Sequence, residues 1–146
     1  MPVVEFCALV ESDAERIWTV LRQFGRIQAW HPGIVESHIE DQQLEGLPGS
    51  VRYLRLGDGA VVRERLLALD DQARRLSYRF EEAPLPLLDY VATVQVLPLS
   101  DEPRAVIHWR ADFGVTTAES AAHYQRLVRE LIVAGHHGLG EFLAGH

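Results

Sequence analysis

A chain of 146 residues with 47% apolar and 24% charged side chains fits a single domain, residues 1–146, with an ordinary hydrophobic core. Its formal net charge of −7 repels phosphate backbones and anionic bilayers, so nucleic acid and membrane surfaces are not expected partners. One cysteine, Cys7, allows no intramolecular disulfide and suits a reducing compartment, and the 14 basic side chains are all arginine, which removes Schiff-base chemistry through lysine.

Val3 to Val10 is β-branched and apolar and predicts a strand. Ser12-Asp13-Ala14-Glu15 reads as a capping box with Ser12 as N-cap. Ile17, Val20, Leu21 and Phe24 follow at helical spacing, and Gly25 is expected to end that helix. Trp30-His31-Pro32-Gly33 closes a second short helical or turn segment. Strands are predicted near 35–43, 50–56, 61–69, 75–81, 89–97 and 105–113. Gly57-Asp58-Gly59 and Asp70-Asp71 form turns, and Pro84-Leu85-Pro86 forms a rigid apolar loop.

Thr116-Thr117-Ala118-Glu119 offers a second capping box, after which helical periodicity runs to about Leu143, about 40 Å at about 1.5 Å per residue. Tyr124, Leu127, Val128, Leu131, Gly135, Gly138, Leu139 and Phe142 share one face of it. The expected fold is therefore α+β: a curved antiparallel seven-stranded meander gripping a long C-terminal helix, with two short helices after the first strand. No repeat, signal peptide or membrane-length apolar run is visible, and a cytoplasmic location is expected.

Alternation along 61–69 turns Val62, Glu64, Leu66 and Ala68 towards the helix, away from Arg63 and Arg65. Glu64 then either sits hydrated at a cavity mouth or holds a ligand's polar group inside. In 89–97 the apolar face is Tyr90, Ala92, Val94 and Val96. Along 105–113 the odd positions Ile107, Trp109, Ala111 and Phe113 look like core, which turns Arg110 outward. Gly135 and Gly138 in the buried helix face mean either close packing or volume left for a ligand. Adjacent His136 and His137 point about 100° apart, both off the apolar face, and no metal-ligand spacing occurs, so neither a metal nor a cofactor is expected. His31 reads as a structural residue of the short helix, and Cys7 as a small core residue. No phosphate-binding loop or nucleophile elbow is present.

Three stretches carry a family resemblance. They are Ser12-Asp13-Ala14-Glu15-Arg16-Ile17-Trp18 with Phe24 and Trp30; Gly49-Ser50-Val51-Arg52 with Gly57-Asp58-Gly59 and the run Arg63 to Asp71; and Leu76-Ser77-Tyr78-Arg79-Phe80 with Asp89-Tyr90 and His108 to Phe113. In this order they resemble the START-like helix-grip superfamily, which includes bacterial polyketide cyclase/dehydratase-type proteins, plant abscisic acid receptors and the birch pollen allergen family. The resemblance implies a cavity bordered by the loops at 56–59 and 85–87, with Glu64, Tyr78, Phe80 and Arg110 turned into it. It thus sets a second register for 105–113 against the one that alternation suggests. Hormone reception is not implied, because the receptors' gate proline and latch histidine-arginine are missing from this chain.

On this basis the expected partner is a small hydrophobic molecule. Glu64, Tyr78, Tyr90 and Arg110 would supply polar contacts, and Val62, Phe80, Leu131 and Gly135 walls. A second reading is a cyclase, dehydratase or hydrolase with Glu64 as general base and Arg110 or Tyr90 on the developing oxyanion. A third is a ligand-free interaction module whose cavity is filled by Tyr78, Phe80 and Tyr90. Homodimerisation is left open by the sequence.

Overall fold

The computed structural model describes residues 1–146. The strands are β1 (Val3–Val10), β2 (Ile34–Ile39), β3 (Val51–Leu56), β4 (Val61–Asp70), β5 (Arg75–Glu82), β6 (Leu87–Pro98) and β7 (Ala105–Val115). They form one antiparallel sheet in the order β1-β7-β6-β5-β4-β3-β2. From β2 to β7 each strand pairs with the next in sequence, as short turns require, and β1 closes against β7. Between β1 and β2 lie helix α1 (Ala14–Leu21) and a 3₁₀ segment, Phe24–Ala29; after β7 comes helix α2 (Ala121–Gly145).

Several local expectations shift. Asp13, not Ser12, caps α1, its Oδ1 accepting from the Arg16 amide at 2.9 Å; aspartate is as good a cap as serine. Ser12 Oγ instead accepts from Arg16 Nη1 at 3.3 Å. Gly25 does not stop α1 but lies inside the 3₁₀ segment, where its amide donates to Glu45 Oε1 at 2.6 Å. The second capping box does not form: Thr117 precedes a single 3₁₀ turn without a side-chain cap bond, and α2 starts at Ala121.

The core lies between the inner sheet face and the helices, where Ile17, Phe24, Leu66, Ile107 and Leu139 are fully buried. On β7 the odd-numbered set Ala105, Ile107, Trp109, Ala111 and Phe113 faces inward. On β4, Val62, Glu64 and Leu66 face inward as alternation predicts, but Ala68 does not. A bulge between Leu66 and Ala68 advances the pleat by one residue, so Leu69 packs on the core and Ala68 faces solvent. Cys7 is exposed on the outer sheet face, opposite His108, because Val4 and Val10 occupy the inner phase of β1.

The buried stripe of α2 is Val128, Gly135, His136, Leu139 and Leu143. It is rotated by about 70° from the stripe that apolarity alone marks out, at about 100° per residue. Of the apolar stripe, Leu127 and Leu131 border the hollow instead of packing, and on the other side the buried set gains Leu143 and His136. Trp109 Nε1 donates to its Nδ1 at 3.1 Å, so its Nε2 carries the proton and donates to the Leu9 carbonyl at 3.1 Å. With both ring nitrogens satisfied, the imidazole can be buried. Gly138 faces Pro32 and the carbonyl of Trp30, and Gly135 faces the His31 ring. The two glycines thus mark close packing of α2, against the Trp30–Pro32 turn rather than the sheet.

Candidate functional site

The helix does not fill the hollow of the sheet. A cavity of about 430 Å³ remains between them, within the usual range for small-molecule sites. Its floor and walls come from β3 to β7 through Leu54, Val62, Tyr78, Val94 and Trp109. Its roof comes from α2 through Val128, Leu131, Ile132 and Gly135. Asp58 and Ala60 of the β3–β4 turn, with Pro84 and Leu85 of the β5–β6 loop, border it. Apart from the tyrosines, only His31, Arg52, Asp58 and Glu64 among the lining residues carry an ionisable group.

Glu64 is 6% exposed and Arg52, directly opposite it on β3, is 4% exposed. Arg52 Nε and Nη2 both reach Glu64 Oε1, at 2.8 and 2.7 Å. Arg52 Nη1 donates to the Phe24 carbonyl at 3.0 Å. The guanidinium carbon lies 3.9 Å from the Phe24 ring centre and 4.6 Å from that of Tyr78. Both rings, whose centres are 5.8 Å apart, are therefore within cation–π range of it. Glu64 Oε2 accepts no protein hydrogen bond. Since Ser50 Oγ is the one fully buried side-chain polar atom without a partner, Oε2 keeps access to the cavity.

Sequence reasoning passed over Arg52, although a signal was present. Counting six residues either way from Asp58, the centre of the Gly57-Asp58-Gly59 turn, pairs position 52 with position 64.

Tyr78 and Tyr90 both line the cavity. Burial, and then the nearby charge of Glu64, pushes the Tyr78 phenol well above its usual range, so it stays a neutral donor. Burial also raises Tyr90, followed by Tyr78 and Glu64. The Tyr90 ring stacks on Phe80 at 3.9 Å between centres, 6° from parallel. A bulge between Leu88 and Val91, with Asp89 at φ 51°, marks the end of β6 from which Tyr90 projects. Val62, Phe80, Leu131 and Gly135 also line the cavity, Leu131 being 39% exposed.

Arg110 does not join them. It lies on the outer sheet face, where its Nε and Nη2 bond Asp112 at 2.9 Å and its Nη1 bonds Glu5 at 3.0 Å. Trp109 and Ala111 hold the inward phase of β7, and no bulge reverses it at Arg110. The cation beside Glu64 is therefore Arg52.

His31 borders the cavity beneath Gly135. The Gly33 amide donates to its Nδ1 at 3.0 Å, so its Nε2 carries the proton and donates to the Leu131 carbonyl at 3.0 Å. Burial lowers its pKa, outweighing the Leu131 bond, and Arg52 adds to the lowering. Burial likewise lowers His136, with the Leu9 bond opposing and His137 assisting.

Both imidazoles therefore bind protons less readily folded than unfolded, where histidine titrates near pH ~6.5. The stability linked to them is fully present above that pH and is lost as the pH falls below it. The unfolding free energy should drop by up to about 2–3 kcal/mol between pH 7.5 and 5.5, at about 1.4 kcal/mol per proton per pH unit. Urea titrations at the two pH values measure this, and equal stabilities would contradict the neutral, buried assignment.

No group of three or more histidine, cysteine or acidic side chains is arranged to hold a metal ion. No helix is long and apolar enough to cross a membrane.

A long helix held across the hollow of an antiparallel sheet, with a cavity between them, defines the START-like helix-grip class. Within it, the chain belongs to the family described as polyketide cyclase/dehydrase and lipid transport, whose pattern matches residues 1–140. No curated protein matches in sequence. Among solved structures, the chain is similar to the protein XoxI from Bacillus cereus, with a TM-score of 0.86, 24% identity and coverage of 100% of this chain and 99% of that one. It is also similar to the Zhui aromatase/cyclase from Streptomyces sp. R1128, with a TM-score of 0.78, 22% identity and coverage of 96% and 92%. Norcoclaurine synthase from Thalictrum flavum, solved with dopamine and hydroxybenzaldehyde, gives a TM-score of 0.78 at 18% identity over 99% and 87%. At these identities the likeness establishes the fold.

Proposed function

We propose that the protein binds and carries a small, largely apolar molecule in the cavity between the sheet and α2. The observation that carries this reading is the cavity itself: about 430 Å³, with 19 of its 26 lining residues apolar and one ion pair inside. Burying an apolar ligand there gains about 25 cal/mol per Å² removed from water. Glu64, Tyr78 and Tyr90 are the polar contacts in this reading, Arg52 takes the place first given to Arg110, and Val62, Phe80, Leu131 and Gly135 are walls. Norcoclaurine synthase, solved with dopamine and hydroxybenzaldehyde, supports a ligand of that size. The open cavity argues against a ligand-free interaction module, which needs Tyr78, Phe80 and Tyr90 to fill it.

The test is binding of a neutral fluorophore, N-phenylnaphthylamine, to purified protein, together with native mass spectrometry for copurified ligand. Leu131→Trp places an indole at the cavity roof. It should weaken fluorophore binding by about tenfold, the loss of roughly two buried methylene-sized contacts at about 0.8 kcal/mol each. Equal binding by wild type and variant would place the fluorophore elsewhere and refute the reading.

A catalytic reading rests on Glu64 Oε2. With Oε1 taken by Arg52, Oε2 would accept the proton and Tyr90 would donate to the developing oxyanion of a cyclase, dehydratase or hydrolase substrate. Turnover of an aromatic carbonyl compound that disappears in Glu64→Gln, with binding retained, would distinguish enzyme from carrier.

A further inference from the structure

We propose that Glu64 is a built-in counter-ion that sets the charge selectivity of the cavity: by occupying Arg52 it admits neutral ligands bearing a hydrogen-bond donor and excludes anionic ones. This inference rests on the cavity reading above and names the ligand class that such a cavity takes.

A buried arginine in an apolar hollow would ordinarily be an anion receptor, because its fork of N–H donors fits carboxylates, sulfonates and phosphates. Here that role is already filled from within. Arg52 Nε and Nη2 converge on Glu64 Oε1, and Nη1 is held by the Phe24 carbonyl. The rings of Phe24 and Tyr78 both lie within cation–π range of the guanidinium. Of the other ionisable lining groups, the Tyr78 and Tyr90 phenols are neutral, His31 has both ring nitrogens in hydrogen bonds and Asp58 is itself an acid. An incoming anion therefore meets no free cation, and an uncompensated charge in an apolar cavity carries a heavy desolvation cost. What the pair does offer is Oε2, an acceptor with cavity access and no protein partner. A neutral molecule with a hydroxyl or amide N–H beside its apolar body satisfies that oxygen without adding charge.

Because Arg52 is also held by Phe24 and by two aromatic faces, it should stay in place when Glu64 loses its charge. Glu64→Gln then exposes a cation in an apolar hollow and should convert the site into an anion receptor.

The experiment is displacement of N-phenylnaphthylamine by a matched pair of probes, dodecanol and dodecanoate, at mildly alkaline pH. Wild type should prefer the alcohol. Glu64→Gln should gain about 10- to 100-fold in dodecanoate affinity, the worth of a charge-assisted hydrogen bond, with a much smaller change for dodecanol. The double variant Arg52→Gln with Glu64→Gln should lose that gain. Equal wild-type affinity for both probes overturns the inference, as does a Glu64→Gln protein without the gain. If Glu64→Gln does not fold, the wild-type comparison alone decides. Failure of wild type to bind the fluorophore at all would defeat the cavity reading itself, an outcome distinct from binding without charge preference.

Discussion

Arg52→Leu is expected to lower the free energy of unfolding by about 3 kcal/mol or more, the usual cost of removing one partner of a buried ion pair. Both members are nearly inaccessible, and the two N–H bonds to Glu64 Oε1 are short. Leucine would leave the carboxylate with no counter-charge, since its neighbours in sequence, Arg63 and Arg65, lie on the opposite strand phase and hold Glu40 and Glu81. Replacing both partners, Arg52→Leu with Glu64→Leu, should recover most of the loss, because a well-packed apolar pair avoids the desolvation of two charges. Urea unfolding followed by circular dichroism measures the three proteins. A single-variant loss below about 1 kcal/mol, the range of an exposed pair, would show that the pair is not buried in solution.

The second large effect is expected at a glycine. A Cβ on Gly138 would lie 2.2 Å from the carbonyl oxygen of Trp30 and 2.6 Å from Pro32 Cδ. Neither obstacle is a flexible side chain, so α2 must lift from the turn or the turn must move. Gly138→Ala should therefore destabilise by about 2 kcal/mol or more, although alanine favours the helix by about 1 kcal/mol. Gly140, two residues along the same helix, has nothing within 4 Å of its added Cβ. Gly140→Ala should stabilise by about 0.5–1 kcal/mol from propensity alone. Thermal melts of the two variants should shift in opposite directions. A shift of the same sign in both would mean that α2 does not approach the Trp30–Pro32 turn this closely.

The two effects follow from one arrangement. The Trp30–Pro32 turn touches α2 at Gly135 and Gly138, and His31 hydrogen-bonds the Leu131 carbonyl above the cavity. The Arg52–Glu64 pair sits at the sheet side, tied to the 3₁₀ segment through Phe24. The cavity is thus bordered by two polar clamps, one joining the sheet to the 3₁₀ segment and one joining the following turn to α2, while His136 ties α2 to β7 and β1 directly.

Much of this was legible from local pattern. The strands, their turns and the inward facing of Val62, Glu64 and Leu66 follow from period-two alternation, which depends only on neighbouring residues. The bulge after Leu66 could not be read that way, since one extra residue in the pleat leaves no compositional mark at Ala68 or Leu69. Arg110 shows the converse. Alternation along β7 turned it outward, as the structure does, whereas family resemblance placed it in the cavity.

Taken alone, the chain's 146 residues determined the antiparallel α+β topology, a single long amphipathic helix and a lone glutamate on an otherwise apolar strand face. These are consequences of periodicity and turn chemistry, which act over a few residues. Tertiary structure alone decided which cation meets Glu64, why His136 is buried and what Gly135 and Gly138 are for. Each depends on partners far apart in sequence: Arg52 with Phe24, His136 with Trp109 and Leu9, Gly138 with Trp30. Polar burial is permitted only where such distant donors and acceptors converge, and no local window of sequence records that convergence.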